Sequence, residues 1–271
     1  MTRGGHSRWN DSPIAPGPDS GEPMSRTLGL VVTDSRETDS PSSLLEELLD
    51  LVPAELLAES GEVFYSGVTS FERPSLMYLL GFNPGGDPAK VELERYTVAA
   101  DLEASRSPLR RDWSAFEDDW RDFGSGALAF QRRVRHLIEV CGIDSPRKVP
   151  TSNAIFVRSS RVETLDARRT KKLLEDCWAI HAKVISALDV RVVVCLGQAT
   201  GQWVRAQLGV KDEPALDTFT EVNARRWRSL THRDSDGIQV VTLAHPSVAD
   251  WTNRRTDPTG LVVRALQRAA L

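Results

Sequence analysis

Val192-Val193-Val194-Cys195-Leu196-Gly197-Gln198 is the stretch that decides the fold. Its apolar residues run without a polar partner between them, and a glycine ends the run. A strand with one wet face alternates apolar and polar side chains; a strand covered on both faces reads as a continuous apolar run. Leu76–Phe82, Asn153–Val157 and Ile238–Leu243 have the same character. Helical spacing fills the gaps at Ala127–Val140, Lys171–Leu188 and Gln198–Leu208, and Leu261–Ala270 closes the chain as a helix. Strands alternating with helices predict an α/β class. The expected architecture is three layers, α/β/α, around a central, mostly parallel sheet of four strands.

Upstream of these runs the character changes twice. Leu44, Leu45, Leu48, Leu49 and Val52 recur at helical spacing, predicting an amphipathic helix within Ser42–Glu59, capped by Ser42 or Ser43. Residues 1–41 are rich in Ser, Gly, Pro and Asp and cannot bury enough apolar surface to offset their ordering entropy. They read as a disordered acidic tail, and 42–271 as a single folded domain.

Composition narrows the classes. The 271 residues are 40% hydrophobic and 27% charged, as in an ordinary soluble globular protein. No apolar run reaches the ~18–20 residues that span a bilayer, so no membrane partner is expected. The N-terminus lacks the apolar core of a secretory signal. Cys141, Cys177 and Cys195 are widely spaced with no CxxC, which argues against a disulfide scaffold, a zinc ribbon or an iron–sulfur site. No metal or cofactor is expected, and the cytoplasm is the expected compartment. The net charge of −4 hides an asymmetry: residues 1–60 sum to −7 and residues 61–271 to +3.

In open α/β sheets ligands bind beyond the carboxyl ends of the strands. Two segments there carry chemistry. Gly81-Phe82-Asn83-Pro84-Gly85-Gly86-Asp87-Pro88 is neither a dinucleotide fingerprint nor a Walker loop. It is a tight turn in which Pro84 fixes its own backbone and biases Asn83 towards an extended form. His245-Pro246-Ser247 ends the last run. His232, His181, His136 and His6 lack such placement and are assigned no role.

Gly81-Phe82-Asn83-Pro84-Gly85 resembles the first active-site motif of the uracil-DNA glycosylase superfamily, and Ala244-His245-Pro246-Ser247 resembles the second. Thr151-Ser152-Asn153-Ala154 is similar to the strand whose asparagine reads the pyrimidine. Val192 to Ala199 is similar to the third strand and its turn. The resemblance covers roughly Met77 to Leu271 and is closest to the Asn-Pro-Gly branches, the mismatch-specific and single-strand-selective types. It implies a DNA glycosylase that removes uracil or a 5-substituted pyrimidine flipped out of DNA and leaves an abasic site. The biological role would be repair or defence against modified bacteriophage DNA.

The resemblance also implies roles. Asn83 would orient the attacking water, and His245 would donate to the base O2 as negative charge develops there. Asn153 would accept from N3–H and donate to O4, a pattern cytosine does not offer. Gly81, Phe82 and Gly85 would complete the base site. Gly85 stands where the strict uracil branch has a tyrosine that walls off C5, so bulkier 5-substituents are expected to enter. Asn83 is no base at pH 7; Asp87 is the candidate general base, against its reading as a solvated turn carboxylate. The stacking aromatic is open among Phe82, Tyr96, Phe123 and Phe130.

DNA contacts are expected from the segment after the second motif. Ser247 adjoins the cleft, Val248 and Trp251 are candidate wedges, and Asn253, Arg254 and Arg255 would face phosphate, against the reading of an ordinary surface loop with a packed Trp. Arg158 and Arg161, with Arg168, Arg169, Lys171 and Lys172, form a further basic stretch, or simply a solvated helix start. DNA is the expected partner of a monomer. Two other readings remain: a non-catalytic DNA-binding relative, and an unrelated α/β hydrolase, for which no Gly-x-Ser-x-Gly elbow exists.

Overall fold

The computed structural model describes residues 43–89, 95–120, 124–160, 166–210 and 214–271. The expected tail, Arg161 and Phe123 lie outside the described residues.

Four short parallel strands form the middle of the sheet: β1 (Met77–Gly81), β2 (Thr151–Asn153), β3 (Val192–Leu196) and β6 (Gln239–Leu243). All are buried along their whole length. Their side chains alternate between two cores, which explains the continuous apolar runs. Tyr78, Leu80, Val193, Cys195 and Val240 enter one core. Met77, Leu79, Val192, Val194, Leu196, Val241 and Leu243 enter the other. The first core is covered by α1 (Leu44–Leu49), α2 (Val98–Arg106), α4 (Ala167–Ala187) and α5 (Gln198–Gln207). The second is covered by α3 (Ala129–Val140) and α6 (Thr259–Ala269).

The sheet is wider than expected. Its order is β2-β1-β3-β6-β5-β4, six strands rather than four. β4 (Asp217–Thr220) and β5 (Arg228–Arg233) form an antiparallel hairpin that pairs with the β6 edge. The sheet is therefore mixed, with helices on both sides. Arg-Ser-Leu-Thr-His-Arg in β5 has one large aliphatic residue, so it carries no buried-strand signal. It joins the sheet by pairing with β6 on one side and β4 on the other, and only Ser229, Thr231 and His232 of it are buried.

Several boundaries move. The first helix stops at Leu49, where a capping box of Ser43 and Glu46 starts it and Pro53 follows closely; Ala54–Leu56 is a separate 3-10 turn. The second run pairs only through Thr151–Asn153, so Asn153 ends that strand instead of starting it. Registry then sets the site: Gly81 lies opposite Asn153, and Leu196 opposite Leu243. The four parallel strands thus finish close together along one end of the sheet.

Candidate active site

A cavity of about 530 Å³ opens at that end, within the usual size of a small-molecule site. Each of the four parallel strands contributes to it. Gly81, Phe82, Asn83 and Gly85 come from the turn after β1, Asn153 from the tip of β2, Leu196 to Thr200 from β3 and α5, and His245 and Ser247 from the turn after β6.

Asn153 reaches the cavity because residue 81 has no side chain. A Cβ on Gly81 would sit 2.0 Å from Asn153 Oδ1. Asn153 is 7% exposed, and its carboxamide makes no hydrogen bond with any described residue. A buried amide without protein partners is costly unless a ligand or water supplies them.

Asn83 is held by its own turn and by Ser159. Its Nδ2 donates to Pro84 O at 2.8 Å and to Ser159 Oγ at 2.9 Å, so the fixed amide leaves Oδ1 as an acceptor. Gly85 and Ser159 form a parallel bridge, and Arg158 Nη1 donates to Gly85 O. Gly86 completes the turn at φ 111°, a conformation that favours glycine.

His245 is a neutral donor by construction. Desolvation pushes its pKa down from 6.5 to about 4. The Ser247 backbone N–H, which can only donate, lies 3.1 Å from Nδ1, and Ser247 Oγ lies 2.7 Å from it. Nδ1 is therefore the acceptor and the proton sits on Nε2. No described residue accepts from Nε2. Phe130 stacks beside the ring at 5.8 Å between centroids and 24° between planes. The loop is fixed by Trp251 Nε1, which donates to Ala244 O at 3.0 Å, and by Arg133, which donates to Pro246 O.

His181 makes the contrast. Burial also pushes it down to about 4, yet both its nitrogens are engaged, with Tyr78 Oη at 2.9 Å and Ala154 O at 3.3 Å. It is a core histidine.

Electrostatics favour negative charge in the cavity. The first turn of α5 lines it, and the N–H groups of Gln198, Ala199 and Thr200 have no intrahelical acceptor. Among the described lining residues there is no carboxylate. Asp87 does not line the cavity; it is exposed and accepts from the Ala89 N–H. Nor do three His, Cys, Asp or Glu side chains come together as a metal site among the described residues.

Two expected DNA contacts are corrected. Trp251 is fully buried, with its indole N–H spent on Ala244 O, so it cannot be a wedge. Arg158 is 2% exposed; its guanidinium faces Glu62 at 3.4 Å and braces the turn through Gly85 O and Ser60 Oγ. It cannot reach a phosphate without leaving those partners. Arg169, Lys171 and Lys172 are ion-paired with Glu59, Glu175, and Glu55 and Asp176. Val248, Asn253, Arg254 and Arg255 are exposed, although Asn253 Oδ1 already accepts the Arg255 N–H.

Of the stacking candidates, Phe82 and Phe130 line the cavity. Tyr96 lines a separate polar cavity of about 540 Å³ with Asp101, Arg110 and Trp113; Trp120 borders both. Tyr65, Phe116 and Trp120 also line the first cavity without having been singled out, as do Ser159 and Gln198, which follow the second and third runs and were assigned no role. Phe116 and Trp120 fall in a stretch with no strand-end signal, so only the fold brings them there. The chain matches no family model, and no curated protein matches it.

Proposed function

We propose that the protein is a monofunctional DNA glycosylase, acting on uracil or a 5-substituted pyrimidine held out of the helix in the strand-end cavity. One observation carries the reading: Asn83, Asn153 and His245, each with an unengaged polar atom, line the same cavity. A flipped pyrimidine would meet the Asn153 carboxamide on its Watson–Crick edge, Phe82 or Phe130 on its face, and His245 Nε2–H at O2.

The chemistry follows from the residue types. As the N-glycosidic bond breaks, the electron pair goes to the base, and charge collects on O2. Nε2–H and the first turn of α5 stabilise that charge. The histidine acts as a neutral electrophile and keeps its proton. Asn83 Oδ1 accepts from a water that adds to the sugar carbon, and the proton that water loses passes through solvent to the departing base anion. With no carboxylate among the described lining residues, the rate rests on stabilising the departing anion. At Gly85 an added Cβ would meet nothing within 4 Å, which supports an open C5 side.

A panel of labelled duplexes and single strands tests this, each carrying one uracil, thymine or larger 5-substituted pyrimidine. Alkali cleavage after incubation reads the abasic sites. Excision of at least one of these bases is expected; intact strands throughout the panel would overturn the reading.

A further inference from the structure

The tip of the edge hairpin, Val222 to Arg228, bears Arg225, Arg226 and Arg228, all exposed. It lies against the loop that carries Arg254 and Arg255. Val222 N–H donates to Arg255 O at 2.8 Å, and Arg225 Nη1 donates to Val248 O at 3.0 Å. The two loops make one surface with five arginines.

That surface is charged differently from the faces that carry Arg106, Arg169 and Arg264. Arg106, Arg169 and Arg264 are each ion-paired at 2.6–2.7 Å. Among the described residues, the guanidinium groups of Arg226, Arg228, Arg254 and Arg255 have no ion pair. Arg225 has only Glu221 Oε2, at 3.9 Å, and that buried carboxylate also accepts from Asn223. Gathering like charges without counter-charges opposes folding, so a bound anion has repulsion to relieve.

The surface also borders the cavity. Gln198, which lines it, donates to Arg228 O at 2.9 Å, and Ser229 Oγ accepts from the N–H of Ala244, the residue before His245. Apolar groups interleave with the charges: Val222 is 65% exposed, Val248 50% and Trp227 36%, with Arg225 stacked 4.3 Å over the Trp227 ring.

We infer that this hairpin tip, with Arg254 and Arg255, is a docking surface for the DNA phosphates flanking the nucleotide in the cavity. Identifying the anion as DNA rests on the glycosylase reading. Arginine forks suit phosphate oxygens. Val248 would face the step from which the base departs, as apolar side chains do at kinked steps.

The test uses the full chain and a fluorescein-labelled duplex carrying one uracil. Anisotropy gives the binding constant from 50 to 200 mM NaCl, with unfolding curves to confirm the fold. Each lost phosphate contact lowers the slope of log K against log[salt] by about 0.9. Arg226→Ala/Arg228→Ala should therefore reduce the slope by about 2 and weaken binding roughly tenfold at the lowest salt. Arg254→Ala/Arg255→Ala, on the other loop, should behave alike, and Lys183→Ala, which breaks a pair with Glu47, should match wild type.

Wild-type slopes in both folded double variants would overturn the inference. So would tighter arginine-dependent binding to single-stranded RNA of the same length. Wild-type slopes with base excision intact would remove the docking surface and leave the glycosylase reading. Reduced slopes with no base released by wild type would do the reverse.

Discussion

The two halves of the sheet make opposite use of their residues. In the parallel half, strands β1, β2, β3 and β6 are buried throughout, and their ends carry Gly81, Asn153, Leu196 and His245 to one cavity. In the antiparallel half, β4 and β5 are half-covered and end in a turn that holds arginines in solvent. The difference teaches where precision is needed. A reacting group has to be fixed within a fraction of an ångström, and fully covered strands do that. A phosphate contact tolerates a mobile side chain, so an edge strand suffices.

If chemistry belongs to the parallel half and docking to the edge, variants should separate the two. The largest effect is expected at His245. His245→Ala should lower single-turnover excision by ~100–1,000-fold and leave the affinity for DNA within a few-fold. Equal losses in rate and affinity would dissolve the distinction.

Gly85→Tyr comes next. The open space at Gly85 accepts the ring, which would stand beside C5 and exclude substituents by overlap. Overpacking of ~1–3 kcal/mol corresponds to a loss of roughly 5- to 150-fold on 5-substituted bases, with uracil spared. Competition between a uracil and a 5-substituted duplex measures it; an unchanged ratio would place the C5 wall elsewhere.

Gly81→Ala should act through its neighbour. The new methyl displaces the Asn153 amide, so excision falls roughly tenfold while the thermal midpoint changes little. A large loss of stability with normal activity in the folded fraction would show that Gly81 serves the sheet alone.

A last pair of measurements distinguishes His181 from His245 by pH. His181 has a native pKa of about 4 against 6.5 unfolded, so the unfolded chain binds the proton first. Its contribution is complete above pH 6.5 and is lost as pH falls towards 4, about 3 kcal/mol in all. Urea unfolding of wild type and His181→Asn across that range should show the wild type losing more. Excision should stay flat from pH 5 to 8, because His245 is neutral throughout. A rate that breaks near 6.5 would mean that His245 titrates in the working enzyme.

Legibility in the sequence followed the same division. The parallel strands announced themselves because both faces are apolar, and with them came Asn83, Asn153 and His245. The edge hairpin was silent: β5 offers Leu230 among Arg, Ser, Thr and His. The helix Val98–Arg106 was silent too, since only Val98 and Leu102 are buried hydrophobics on it. Trp251 stood open between a wedge and a packed ring, and Arg158 looked like a surface group, because their partners, Ala244 O and Glu62, are contacts of the folded chain. An arginine followed by serines gives no sign that its charge faces inward.

The proposed cleavage of a glycosidic bond in the strand-end cavity can be read from its products. Mass spectrometry of an oligonucleotide panel incubated with wild type and with His245→Ala tests it most directly. Free pyrimidine and an intact backbone with one abasic site are expected for wild type, and almost none of either for His245→Ala. Unchanged oligonucleotides with wild type, or base release that persists undiminished in His245→Ala, would contradict it.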